Sequence, residues 1–205
     1  MASRVGGMRD DGRLTRTTLI LAISLALATA VGVGATESQA VTGAQTDLKS
    51  IKDFDAEIAR YMELRRKLGT EIQSLRPNST SVEIVNTSDA LASAIQRARL
   101  RSQARVFFSP PTTVLIKRRI VETIRTEHLV SALARIDDEG PAPNAVTVYL
   151  RFPASSQMAT MPPALLAVLP LLPRELEHRI VGTALVLRDI DAALVLDYIP
   201  AAIPR

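Results

Sequence analysis

The sequence predicts an α+β fold, with a helical N-terminal half and a small antiparallel β-meander sheet at the C-terminus. Three observations carry this reading. Between Asp47 and Leu75 apolar residues recur at alternating spacings of three and four, the period of one helix face. Between Leu176 and Ile199 short apolar runs are separated only by Gly182-Thr183 and Asp189–Asp191, residues suited to tight turns. Hydrophobic residues make up 47% of the 205-residue chain but aromatics only 3%, which excludes general disorder and calls for an aliphatic core.

The N-terminus reads as an export signal. Arg4, Arg9, Arg13 and Arg16 precede a charge-free run from Thr17 to Thr36, and small residues follow at Val33–Ala35 and Ser38–Ala40. A basic lead, an apolar centre and small residues before a cut mark a secretory signal peptide. Residues 1–40 are therefore expected to be removed after Ala35 or Ala40. The alternative is a membrane anchor formed by residues 17–36, but the second half of that run is Ala, Gly and Thr. The chain has no cysteine, which excludes disulfides, thiolate metal sites and lipid attachment through sulfur.

Residues 41–76 are expected to hold a long amphipathic helix, coiled-coil-like in its heptad spacing. Its seam is Ile51, Phe54, Ile58, Tyr61, Leu68, Ile72 and Leu75, with Arg65 in the one missing position. Such a seam serves a homodimer, an envelope protein partner docking on residues 47–75, or the chain's own domain. Gly69 weakens the helix and Arg76-Pro77 ends it. The α+β domain then occupies 77–205.

A polar connector, "PNSTSVEIVNTSDA", follows. It is expected to hold a short extended piece at Val82–Val85, with Thr87 or Ser88 capping the next helix. That helix runs to about Arg105 with Leu91, Ile95 and Ala98 inward. A third helix starts at Ser109-Pro110 and offers Val114, Leu115, Val121 and Ile124 for burial. A fourth covers Glu127–Ile136 and stops at "DDEGPAPN". Residues 76–125 carry nine basic and three acidic side chains, whereas 126–205 carry six and nine. Arg97, Arg101, Arg105, Lys117, Arg118 and Arg119 are read as a solvated surface partly facing the acidic half, with a polyanion-binding face as the alternative.

The β signal follows. "AVTVYLRF" at 145–152 alternates as a half-buried strand would. A short helix is expected after Met161-Pro162-Pro163, ended by Pro170. Strands are then expected near Leu176–Val181, Leu185–Arg188 and Ala193–Ile199, joined by turns too short for anything but antiparallel pairing. With 145–152 they make four strands, covered on one face by the helices.

Chemistry is sparsely encoded. His128 and His178 are the only histidines, and no catalytic elbow, metal motif or phosphate loop occurs. No catalytic, metal or cofactor residue is therefore assigned, and an enzyme is the less favoured reading. His178 falls on the same strand face as Leu176 and Ile180, where a buried structural histidine fits. Asp189 and Asp191 read as turn residues. Asp197, inside a strand on the face of Val195 and Ile199, calls for a partner, with Arg179 or Arg188 the nearest candidates.

The tail "TMPPALLAVLPLLPRELEHRIVGTALVLRDIDAALVLDYIPAAIP" (160–204) couples LPxELExRxVGxxLxLxD to a final LxxDxIPxAxP. In this it resembles an uncharacterised family of exported bacterial proteins, and the likeness reaches back through "FFSPPTTVLIKRRI" at 107–120. That resemblance implies export, to the periplasm or beyond, and no activity. "RIVGTALVLRDIDAALVLDYI" is also similar to the closing hairpin of periplasmic nickel–cobalt homeostasis proteins, without their aromatic residues around the turn. The expectation is an exported envelope protein acting as a non-catalytic binding or assembly module. A periplasmic metal-binding protein or hydrolase, its site assembled from distant residues, is the alternative.

Overall fold

The computed structural model describes residues 18–72, 79–102, 106–139, 146–151 and 161–204, with side chains from Val41 onward except at 102 and 135–139. The basic lead of the signal-like segment, Leu75–Asn78, Arg105, Ala145 and Phe152 lie outside them. The order is α1 (Thr18–Glu71), α2 (Ser81–Ser102), α3 (Pro110–Thr126), α4 (Val130–Glu139), α5 (Pro163–Val168), β1 (Leu176–Val181), β2 (Ala184–Asp189) and β3 (Leu194–Ile199). The chain divides into two compact units, Met1–Gln45 and Thr46–Arg205. In the first, the described residues are helical from Thr18. The second holds every core residue below. The α+β reading holds: helices fill the N-terminal half and an antiparallel sheet closes the C-terminus.

In the second unit, the seam of α1 is occupied within the chain. Phe54, Ile58 and Tyr61 are buried in one cluster with Leu185, Leu187 and Leu194 of the sheet. Burial of this kind contributes about 1.5–3 kcal/mol per large side chain.

Helix α2 begins before Val82, so the expected extended piece is helical. Thr80 Oγ1 accepts the Glu83 N–H at 3.3 Å, and the Glu83 carboxylate accepts the Thr80 N–H at 2.7 Å. This reciprocal pair is a capping box, which satisfies two otherwise unpaired donors. It outweighs the β-branched run and leaves Val82, Ile84 and Val85 exposed. Thr87 and Ser88, the expected caps, sit inside the helix.

Ser109 caps α3 as its sequence predicts, accepting the Thr112 N–H. Helix α3 is rotated from the expected setting. Thr112, Ile116, Ile120 and Ile124 form its buried stripe at four-residue spacing, while Val114 and Val121 face outward. The Thr112 hydroxyl donates to the Ser50 carbonyl of α1 at 3.3 Å and fixes that rotation. Glu127 closes α3 and His128 turns the chain in the left-handed region at φ 53°, so α4 starts three residues late, at Val130.

The sheet has three strands in the order β1-β2-β3, all antiparallel. Gly182, at φ 56°, makes the first turn without the steric cost a side chain would bring. The expected fourth strand is reduced to one bridge, Arg151↔Leu194, beside β3. Tyr149 takes φ 64°, which breaks the alternation that "AVTVYLRF" displays, and Leu150 is exposed as a result. One sheet face carries Leu185, Leu187 and Leu194 into the main core. The other carries Val181, Val186 and Val195 against Val146.

Candidate functional site: buried charge anchors and an apolar pocket

The aspartate-rich hairpin and α1 meet at Asp189. Its side chain is fully buried at the end of β2. One carboxylate oxygen accepts the Ala192 N–H at 2.9 Å, the turn role expected of it. The other accepts the Tyr61 hydroxyl at 2.6 Å and Arg65 Nε at 2.7 Å. Arg65 also reaches Asp191. The gap in the α1 seam is thus filled by a cation whose partners lie at the far end of the chain. Burial, and then the Asp189 charge, push the Tyr61 hydroxyl far above its ordinary pKa, so it stays a proton donor.

Arg99 forms a second hub, 4% exposed. Its guanidinium lies 4.4 Å from the Phe107 ring centroid, donates to the Tyr149 hydroxyl at 2.8 Å, and meets Glu57 at 3.3 Å. Glu57 is buried too and accepts a second arginine, Arg60, at 2.6 Å. Gln96 completes the hub by donating to the Tyr149 carbonyl at 2.5 Å. Charge pairing, stacking and hydrogen bonding together offset the desolvation of this ion pair. From the sequence Arg99 is assigned no role, although its neighbours Arg97 and Arg101 belong to the candidate face. The signal that it points inward was its four-residue spacing from Leu91 and Ile95.

Asp197 is held differently from expectation. A β-bulge between Leu187 and Arg188 pairs Leu187 with Asp197 and Arg188 with Val195, so Leu196 is the extra residue. The bulge brings Asp197 to the core face, opposite Leu187 and away from Val195. Arg188 and Arg179 lie on the other face and both pair with Glu177 at 2.8 Å. Asp197 instead accepts the Phe108 N–H and the Tyr198 N–H, each at 2.8 Å. Burial raises its pKa, and the backbone N–H donors partly oppose that rise.

His178 lies on the same core face. Its Nε2 is 3.3 Å from the Pro170 carbonyl, its ring stacks near Phe108 at 6.4 Å, and burial lowers its pKa to about 4. It is neutral at neutral pH. His128 is exposed at the end of α3. Neither histidine has a carboxylate partner among the described residues. Groups of three or more His, Asp or Glu that could hold a metal ion are likewise absent among the described residues.

The candidate anion-binding residues are dispersed. Arg97 and Arg101 are exposed on α2, and Arg97 Nε donates to the Ser93 carbonyl of its own helix. Arg105 lies outside the described residues. On α3, Arg118 pairs with Asp47, Arg119 donates to the Val168 carbonyl at the end of α5, and Lys117 stays half-exposed.

An apolar pocket of about 500 Å³ opens between α4, the end of α3, the β1–β2 turn and the C-terminal tail. Ile124, Leu133, Ile180 and Ile203 form its floor and are core residues; Val130 and Ala134 stand at its lip. The tail is fixed there by two bonds, from the Ala202 and Ile203 N–H groups to the Thr183 carbonyl, at 2.8 and 3.0 Å. Among the described residues the pocket lining has no ionisable side chain, which suits an apolar group. The chain matches no family model, no curated protein and no solved structure.

Proposed function

We propose that the chain is an exported bacterial envelope protein, a non-catalytic binding module whose working surface is the apolar pocket. The pocket itself carries this reading: a cavity of about 500 Å³ runs down to core side chains and, among the described residues, has no titratable group in its wall. The titratable groups nearest the core are engaged elsewhere, Asp189 by Tyr61 and Arg65, Glu57 by Arg60 and Arg99. The α1 seam is filled by the chain's own core, so the pocket rather than the seam is the surface offered to a partner. A periplasmic metal-binding or hydrolytic role draws less support, because His178 faces a carbonyl and a phenyl ring.

The export reading rests on the basic lead and the charge-free run of residues 1–40. The compact unit starts at Thr46, beyond both expected cleavage positions, and is complete without them. Protein recovered from the periplasm should begin at Thr36 or Val41 on N-terminal sequencing. An uncleaved chain in the cytosol would overturn export.

The pocket is tested with the uncharged fluorophore N-phenyl-1-naphthylamine on the chain from Val41. One saturable site is expected, lost in Ala134→Trp, which fills the lip without disturbing the floor. Undiminished binding by a folded A134W chain would remove the pocket from the proposal.

A further inference from the structure

The outer face of α3 sets exposed valines among cations. Its buried stripe, Ile116, Ile120 and Ile124, fixes which residues point away from the core. Opposite lie Val114, Lys117, Arg118, Val121 and Arg125, which share one sector of the helix at 100° per residue. Val114 is 64% exposed and Val121 is 49% exposed. Lys117 and Arg125 enter no ion pair among the described residues, while Arg118 meets Asp47. A shallow groove runs along this stripe, lined by Lys117, Arg118, Val121, Glu122 and Arg125. A merely solvated face gains nothing from valine, which is a poor helix former and leaves apolar surface in water. Cations flanking an exposed apolar strip are the composition of a helix that lies on an anionic lipid surface.

We propose that α3 docks on anionic phospholipid headgroups, with Lys117, Arg118 and Arg125 reaching phosphates and Val114 and Val121 entering the interface between them. The choice of occupant follows from charge complementarity joined to the valines. A soluble polyanion would use the cations alone. The setting, a protein facing a membrane after export, rests on the function proposed above, but the surface itself does not. The exposed cations of α2, Arg97 and Arg101, stand on another helix and serve as the internal control.

The test uses the chain from Val41, which contains the whole compact unit, with cooperative thermal unfolding confirmed for each variant. It is mixed with phosphatidylglycerol–phosphatidylcholine vesicles and, separately, with phosphatidylcholine vesicles, and partition is read by co-sedimentation. Binding is expected only to the anionic vesicles and is lost at about 1 M salt, where charges are screened within a few ångströms. Lys117→Ala with Arg125→Ala should weaken partition about 25-fold, from about five-fold per cation. Val114→Ser with Val121→Ser should weaken it about five-fold, from the apolar area withheld from the interface. Arg97→Ala with Arg101→Ala should leave it unchanged. No binding to anionic vesicles, or loss in the α2 variant instead, overturns the proposal. So does heparin binding that matches vesicle binding and ignores the valine changes, which would identify a polyanion site. None of these outcomes depends on the apolar pocket or on cleavage, so A134W and N-terminal sequencing report separately.

Discussion

Asp189 and Asp197 occupy the same face of the same sheet, both buried, and are stabilised by opposite means. Asp189 is met by formal charge and a phenol brought from α1. Asp197 is met by the Phe108 and Tyr198 backbone N–H groups. The first arrangement ties residues distant in the chain together and leaves a cation without its buried partner if the acid is removed. The second pins the Phe107–Phe108 linker and involves no direct cationic partner. Two identical side chains should therefore respond very differently to the same substitution.

Asp189→Ala is the largest expected effect. It takes from Arg65, whose side chain is 15% exposed, its buried partner, leaving only the exposed Asp191, and unpairs the Tyr61 hydroxyl. Breaking a buried pair from one side costs about 3–5 kcal/mol, readable by urea denaturation. A loss below 1 kcal/mol would show that water reaches Arg65 freely.

Next comes the pH dependence on the Asp197 side of the face. His178 falls from an ordinary 6.5 to about 4 by burial, with the Pro170 carbonyl opposing. The unfolded chain binds the proton first. Stability is therefore full above pH 6.5 and declines as pH falls toward 4, by about 3 kcal/mol. Asp197, whose pKa is raised, acts in the opposite sense: protonation on acidification relieves the native state. His178→Gln should flatten the decline between pH 6.5 and 4. An unchanged profile would place the titration elsewhere.

Tyr61→Phe isolates one bond of the Asp189 corner, a hydrogen bond to a charged acceptor, and should cost about 2 kcal/mol. Thr80→Ala opens the α2 capping box for about 1 kcal/mol, visible as lost helicity together with a lower midpoint. Smallest is Asp197→Asn. It keeps an acceptor for the Phe108 N–H and removes a buried charge, so stability at pH 7 should shift by less than about 1 kcal/mol, in either direction. If Asp197→Asn and Asp189→Asn cost the same, the contrast between the two corners is wrong.

The parts of this fold legible in the sequence are those where one local signal is uncontested. The three strands and their turns, the Ser109 cap and the Pro163–Val168 helix follow from pattern and turn chemistry alone. Where two local signals compete, the pattern misleads. Thr80 and Glu83 cap a helix across a run of β-branched residues, and Tyr149 turns left-handed within an alternating segment. The charge hubs were only half legible. Arg65 in an apolar seam announced a partner but could not name Asp189, because the contact spans 124 residues. Arg99 stood unassigned between Arg97 and Arg101 on its helix, and only the Leu91–Ile95–Arg99 spacing sets it apart. Asp197 was read with arginines because the Leu196 bulge, which changes its neighbours, leaves no mark in the composition.

The bonds from Tyr61 and Arg65 to Asp189 also set a timetable. They close loops of 128 and 124 residues, among the most entropically demanding contacts in the unit. A chain that emerges from its N-terminus meets this requirement last. Until the β2–β3 hairpin is present, α1 has no counter-charge for Arg65 and no acceptor for Tyr61, whatever helix it has already formed. The native state is therefore latched at the β2–β3 hairpin, and until that hairpin has formed the latch stays open.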